Sequence, residues 1–479
     1  MSPLLVGTII LGYFLLLILI SWATSKNVQH GDFYTANKGS KWYLVAFGMV
    51  GTSLSGVTFI SVPGEVINSN FYYFQVVIGY LLGYWVIAQV LLPIYYRLQL
   101  VSIYTYLEQR FGFWSYKSGA FFFLLSRIIG ASFRLFLVAS VLQIAFFDAF
   151  DLPFWVAVLV TILLIWMYTF RGGIKTIVWT DTLQTAFMLI AVVVSLVFIK
   201  NELQWTWNEL QGHLFADDRT TIFNWEWQSS RHFFKQFFAG AFIAIVMTGL
   251  DQDMMQKNLT CKNIGEAQKN VFWFCVVLVA VNFLFLSLGV LLYQFAEIKS
   301  IVLPERSDGL FPYLAVNHFS TWGTVTFLLG ITAAAYSSAD SALTALTTSF
   351  CVDFLGFKPE NYARNKSLRK MVHLGFSLVL FLVILVFQAI NNDSVINSIF
   401  IAAGYTYGPL LGLFAFGILS KWGLKDAYVP LVCLGAPLVS YVINQYSEVL
   451  LGGYQFGFEI LILNGLLTFL GLVAIRSKS

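Results

Sequence analysis

The sequence predicts an all-α polytopic membrane protein with thirteen transmembrane helices, and three observations predict it. The first is composition: of 479 residues 58% are hydrophobic and 11% charged, where a soluble domain carries about 25% charge. A water-soluble chain of this size could not cover its surface with so few charges, so soluble enzymes and nucleic-acid binders are excluded. At roughly 20 residues per span, there is apolar material for about a dozen helices. The aromatic share of 18% suits a surface that faces lipid and headgroups. The net charge of +4 implies no anionic partner, because such chains place Lys and Arg by topology.

The second observation is segmentation. Hydrophobic runs bounded by charges, Gly or Pro cover 4–24, 42–68, 72–96, 118–146, 153–170, 174–199, 233–256, 270–296, 321–351, 368–390, 396–420, 427–446 and 453–475. They exceed the length of membrane strands and lack strand alternation, which argues for helices. The hydrophilic connections are short, so 1–479 reads as one membrane domain, with the outer loop 200–232 as a small cap. The N-terminal segment has no basic leader or small-residue cleavage site and reads as a retained helix. The four cysteines, Cys261, Cys275, Cys351 and Cys433, form no CxxC pair and read as isolated apolar thiols.

The third observation is the distribution of basic residues. With the N-terminus outside, the loops 25–41, 97–117, 171–175, 257–269, 352–370, 421–426 and 476–479 face the cytoplasm and hold 20 of the 28 Lys and Arg residues. The opposite loops hold six: Lys200, Arg219, Arg231, Lys235, Lys299 and Arg306. This is the asymmetry of the positive-inside rule, and an odd span count puts the C-terminus in the cytoplasm. The other two, Arg127 and Arg134, lie inside the fourth segment, seven residues apart and hence on one helical face. Either could pair with an aspartate, snorkel, or meet an anionic substrate.

Residues 48–64 place Gly48, Gly51, Gly56, Gly64, Pro63 and five hydroxyl residues in one span, poor support for a continuous lipid-facing helix. A broken backbone at membrane depth must be buried or line a polar cavity, as in secondary transporters that expose carbonyls to ions and substrates. The alternative is a small-residue packing face. In the ninth segment Ala334, Ser337, Ser338 and Ser341 share a helical face. Their hydroxyls could complete an oxygen-only shell suited to an alkali ion. Asp340 and Asp181 are ionisable groups within spans and therefore candidate functional residues; Asp181 could also simply bond neighbouring helices.

These residues carry a resemblance. Gly172-Gly173 through Thr180-Asp181 to Gln184 is similar to the Gly-Gly…Thr-Asp-x-x-Gln signature of the sodium/solute symporter family. Asp251-Gln252-Asp253 with Gln256, Asp32-Phe33-Tyr34, and Ser337-Ser338 also resemble that family. The resemblance implies the LeuT-like fold: inverted repeats over 42–199 and 233–446, each opening with a discontinuous helix, with extra helices at 4–24 and 453–475. It implies a first sodium site from the carbonyls of Gly51, Leu54 and Ala334 and the hydroxyls of Ser337 and Ser338. A second sodium site, present in some members, would use Asp181, Ser337, Asp340 and Ser341. Those members carry a serine where Asp340 stands, so Asp340 either strengthens that site or holds a proton.

The stretch Thr52–Phe59 is similar to the broken helix of sialic acid symporters, and Val62-Pro63-Gly64-Glu65-Val66 to the monocarboxylate, iodide and vitamin branch. Sialic acid symporters hold a carboxylate with an arginine where this chain has Gly130; Arg134 follows one turn later. The implied activity is not enzymatic. It is sodium-coupled import of a small polar or anionic solute (sialic acid-like, a carboxylate or a sugar derivative) by alternating access. Ser53, Ser55, Thr58, Gln75 and Arg134 are the expected substrate contacts. One or two sodium ions, a bacterial inner membrane location and a monomeric chain are also expected. The rivals are a proton-coupled carrier using Asp181 and Asp340, and a solute sensor without coupled transport.

Overall fold

A computed structural model of the chain describes residues 3–25, 40–98, 102–169, 174–357, 366–390 and 394–477. The motif residues Asp32-Phe33-Tyr34 and Gly172-Gly173 lie outside the described residues. The helices fall on the hydrophobic segments. Among the described residues, six helical stretches are long and apolar enough to cross a membrane, eight if two bent pairs each count as one span.

The first helix, α1 (Pro3–Ser25), packs on the sixth-segment helix. The second segment breaks in two, α2 (Trp42–Ser53) and α3 (Gly56–Ser69). Leu54 closes α2 through a 2.7 Å bond to Val50 O, and Ser55 turns extended and caps α3 by accepting from Val57 N at 3.3 Å. The expected discontinuity is thus a two-residue interruption, and a serine N-cap restarts the helix. α4 (Tyr73–Val86) follows, then α5 (Phe113–Leu142), α6 (Phe154–Thr169) and α7 (Ile174–Glu202).

The seventh segment is also broken. α8 (Phe233–Ala244) runs through a wide turn to Gly249, and α9 (Gln252–Asn258) leaves at 73°. Asp251 caps α9 by accepting from Asp253 N and Met254 N. The segment therefore ends at Asn258, two residues beyond the 256 read from hydropathy. α10 (Ile264–Ile298), α12 (Thr321–Ser349), α13 (Lys366–Ile390), α16 (Val429–Gln445) and α17 (Ile460–Ala474) are further helices. α11 (Leu310–Asn317) is a short buried helix within the loop after α10. The eleventh segment bends by 47° between α14 (Val395–Thr406) and α15 (Gly408–Leu419). The last segment begins its helix at Ile460, not 453.

Burial sorts these helices. The most apolar window of α10 is 67% buried, against 22% for α13 and for α16, so α10 belongs to the core and the other two to the rim. α4 and α8 touch backbone to backbone: a Cβ on Gly79 would collide with Phe237 O, and one on Gly240 with Val76 O. Close approach through small residues is how helices associate where the apolar effect gives no drive. The loop 200–232 is an ordered cap. Its helix Trp207–Ala216 starts with a reciprocal Thr206–Glu209 capping box. Arg219 clamps Asp217 and Glu297 there at 2.7 and 2.8 Å. This pairing holds the Asp217 carboxyl down at about 2.

Candidate ion and solute site

The break after α2, the serine face of α12 and the start of α7 meet in the core. α2 and α12 both pack on α7 and on each other. At Gly51 the approach leaves no room for a Cβ, which would strike the Thr185 hydroxyl. Thr185 Oγ1 bridges Phe47 O at 3.1 Å and Asp181 O at 2.8 Å, tying α2 to α7. Gly51 and Leu54 end α2, and Ala334, Ser337 and Ser338 lie on the buried face of α12 packed against it. Ser338 donates at 3.4 Å toward Ala334 O, a long contact. The structure thus brings the five residues of the expected first sodium site onto facing helices. Their donors are hydroxyl and carbonyl oxygens alone, which suits a hard monovalent cation.

Asp181 is wholly buried and bonded on both carboxylate oxygens. Oδ1 accepts from Ser337 Oγ at 2.6 Å. The Gln184 amide, oriented to satisfy its neighbours, adds a bond to the same oxygen at 3.2 Å. Oδ2 accepts from Thr52 Oγ1 at 2.9 Å and from Lys257 Nζ at 2.9 Å. The Lys257 ammonium also reaches Thr52 Oγ1 at 2.6 Å and Ser341 Oγ at 3.0 Å. Its side chain is 1% exposed.

One sequence expectation changes here. Lys257 was read as a cytoplasmic loop charge, but α9 continues past the hydropathic boundary and turns it into the core. Asp181 and Ser341, expected together with Ser337 and Asp340 to hold a second sodium, both bond this ammonium. Asp340 lies on α12, and its side chain is outside the described residues.

Beside this cluster lies a cavity of about 90 Å³. Thr52, Ser53, Ser55 and Thr58 line one wall, from the broken segment, and Arg127 and Arg134 of α5 another. Tyr73, Tyr80 and Tyr84 present one face of α4, with Tyr84 Oη 3.2 Å from Thr248 Oγ1. Sequence reasoning missed these tyrosines, although their spacing of seven and four is a helical face. Asn282 Oδ1, on a residue that also lines the cavity, is buried without a hydrogen-bond partner among the described residues.

The two arginines differ. Arg127 is paired, 2.7 Å from Asp253 Oδ2 and 3.4 Å from Asp251 Oδ2. Arg134 lines the cavity. Among the described residues its guanidinium makes no hydrogen bond, and its Nε is buried. Gln75 was expected in the solute site, but the structure places it elsewhere. Its Nε2 donates to Tyr72 O at 3.2 Å and Arg231 O at 3.0 Å, and its Oε1 accepts from Asn224 N at 3.1 Å. It pins the cap loop to α4, because both ends of the amide are spent on backbone.

The two sides of the cavity are unequal. On the α9 side Arg127, Tyr407 and Tyr104 knit α5, the α14–α15 bend and the 250–253 break together. On the cap side lie two further cavities of about 710 and 280 Å³, each lined in part by Glu65 and Arg231. Tyr73, stacked on Phe400 with ring centroids 6.1 Å apart, borders both the smaller of these and the 90 Å³ cavity.

A helical body in which two broken segments line one buried polar cavity is the architecture of secondary transporters. Comparison with known proteins gives the family. The sequence profile of the Sodium:solute symporter family matches residues 33–423, and the chain belongs to that family. It is a family of transporters, not enzymes. The chain is 25% identical over 407 residues to a sodium/sialic acid symporter of Aliivibrio fischeri, covering 81% of this chain and 77% of that one. It is 27% identical over 399 residues to the sodium-coupled monocarboxylate transporter 1 of Mus musculus, covering 81% of this chain and 64% of that one. Its fold matches the substrate-bound outward-open structure of a Na+-coupled sialic acid symporter with TM-score 0.83, 19% identity and 99% of each chain covered. The chain therefore shares the overall helical fold of that LeuT-like transporter.

Proposed function

We propose that this protein is a sodium-coupled symporter that imports a small anionic organic solute by alternating access. The observation that carries the solute class is Arg134. It is a cation at membrane depth, on a cavity wall, and no described group satisfies its guanidinium. Such a group is costly unless a partner arrives. A carboxylate in the cavity would supply bidentate, charge-assisted bonds, with Ser53, Ser55, Thr58 and the tyrosine face as further contacts. The relatives that carry sialic acid and monocarboxylates support an acidic solute.

Sodium would bind the carbonyls of Gly51, Leu54 and Ala334 and the hydroxyls of Ser337 and Ser338, joining the broken helix to α12. Coupling requires that sodium bind one state better than the other, and an ion bridging two bodies does so when their separation changes. Each inward sodium releases about 2.3 kcal/mol per 100 mV. On this proposal the hydrogen-bonded α9 side faces the cytoplasm, and solute enters from the cap side past Tyr73 and Phe400, which line the cavity. In this reading there are thirteen spans, two five-helix repeats, an outside N-terminus and a bacterial inner membrane location, and the chain works as a monomer.

The test is a thermal-shift screen of the purified protein against sialic acids, monocarboxylates and neutral sugars, with sodium or choline as the cation. Stabilisation by acidic solutes that needs sodium is expected. Stabilisation by neutral sugars alone, or indifference to sodium, refutes the reading.

A further inference from the structure

We infer that the Lys257 ammonium is a tethered cation that permanently takes the place of a second sodium ion, leaving this symporter one exchangeable sodium site. The inference rests on the sodium-coupled reading above and deepens it.

Three features of the geometry carry it. The first is position. The ammonium sits among Asp181, Thr52 and Ser341 at 2.9, 2.6 and 3.0 Å. Asp181 and Ser341 belong to the very set expected to hold a second sodium. The second is saturation. A carboxylate offers about four acceptor positions. Ser337 and Gln184 occupy Oδ1, and Thr52 and Lys257 occupy Oδ2. An additional ion would have to displace a protein donor. The third is burial: Lys257 and Asp181 are 1% and 0% exposed. A second positive charge beside the first would meet repulsion that no solvent screens.

An ammonium and a sodium ion are alike in charge and in preferring oxygen partners, but the lysine is covalently held. It neutralises Asp181 in every step of the cycle and carries no charge across the membrane. It also hangs from α9, one half of a broken segment, and bonds α2, α7 and α12 across the break. It therefore performs the bridging role of an ion without dissociating. The coupling implied is one sodium per solute.

Saturation binding of ²²Na⁺ to the purified full-length protein tests this, without need of a solute. The wild type is expected to saturate at about one ion per chain. Lys257→Ala and Lys257→Gln should rise to about two, as the vacated carboxylate recruits an ion. The double variant Asp181→Asn/Lys257→Gln should return to about one. Two ions bound by the wild type, or no increment in either folded single variant, overturns the inference; so does an increment that survives in the double variant. If neither single variant folds, the wild-type stoichiometry decides. Failure of the first site reads out separately, as a wild type that binds no sodium and is unaffected by Ser338→Ala. The Lys257 increment then still decides the inference.

Discussion

Arg127 and Arg134 stand two turns apart on α5, and among the described residues only Arg127 finds an acidic partner. Its guanidinium is 2.7 Å from Asp253 and 3.4 Å from Asp251, whereas that of Arg134 finds no hydrogen-bond partner among the described residues and lines the cavity. Arg127 ties the α9 side together, and in the proposed reading Arg134 meets the solute. Replacing Arg134 with Ala removes charge-assisted bonds worth about 1.5–3 kcal/mol, so affinity for an acidic solute should fall about 10- to 150-fold. Competition binding measures it, and a variant with wild-type affinity would refute the contact.

Arg127→Ala should act on the fold instead. It leaves Asp251 and Asp253 as buried carboxylates without their cation, a loss of about 3–5 kcal/mol. Asp251 also caps α9, so the α9 side should loosen first. A lower melting temperature with or without solute is expected, together with raised protease sensitivity around 249–258. An unchanged melting temperature contradicts the pairing.

Ser337 and Ser338 are adjacent but not equivalent. Ser337 donates to Asp181 Oδ1 at 2.6 Å, while Ser338 leans on Ala334 O at 3.4 Å. Ser338→Ala should raise the half-saturating sodium concentration about tenfold, ~1.4 kcal/mol, with little change in sodium-free stability. Ser337→Ala should do both, since it also strips a donor from a buried carboxylate. Titrations of uptake and of melting temperature against sodium separate the two.

Gln75 is a control for the solute site. Gln75→Ala leaves the carbonyls of Tyr72 and Arg231 and the amide of Asn224 without this partner, costing about 1–3 kcal/mol. Reduced stability with unchanged solute affinity is expected. A large selective loss of affinity would return Gln75 to the solute site.

Asp308, in the loop before α11, gives a pH dependence. Burial pushes its carboxyl up to about 6, with Glu65 adding to the rise and Ser61, Val395 N–H and Arg306 opposing it. The folded chain therefore holds this proton more tightly than the unfolded chain. Its contribution is fully present below the ordinary carboxylate value of 3.8 and is lost as pH climbs through about 6. Asp308 Oδ2 accepts from Val395 N at 2.9 Å, so the start of α14 should feel the change. Asp308→Asn should flatten the melting-temperature profile between pH 4 and 6; an identical slope in both proteins contradicts this.

The local pattern in the chain was enough for the class and for much of the site. Charge scarcity and run length report on solvent, a property each segment carries alone. The Gly- and Ser-rich stretch 48–64 could not sustain a regular helix, and the break falls within it at Leu54–Ser55. The spacing of 334, 337, 338 and 341 placed four residues on one face because helix geometry is local. Asp181 stood out for the same reason, as a charge where hydropathy forbids one.

Pairing was decided only when distant segments met. Lys257 comes 76 positions after Asp181, and hydropathy could not tell whether a lysine at a segment's edge turns outward to water or inward to a carboxylate. The seventh segment's 73° bend settled that by carrying α9 back across the core. Arg127 and Arg134 were indistinguishable by spacing, and Asp251 and Asp253 selected one of them. Sequence alone determined which residues could not face lipid; tertiary structure determined what they face. Hydropathy is a property of each residue and its neighbours in the chain, whereas burial and electrostatic partnership depend on distances that exist only after the helices pack.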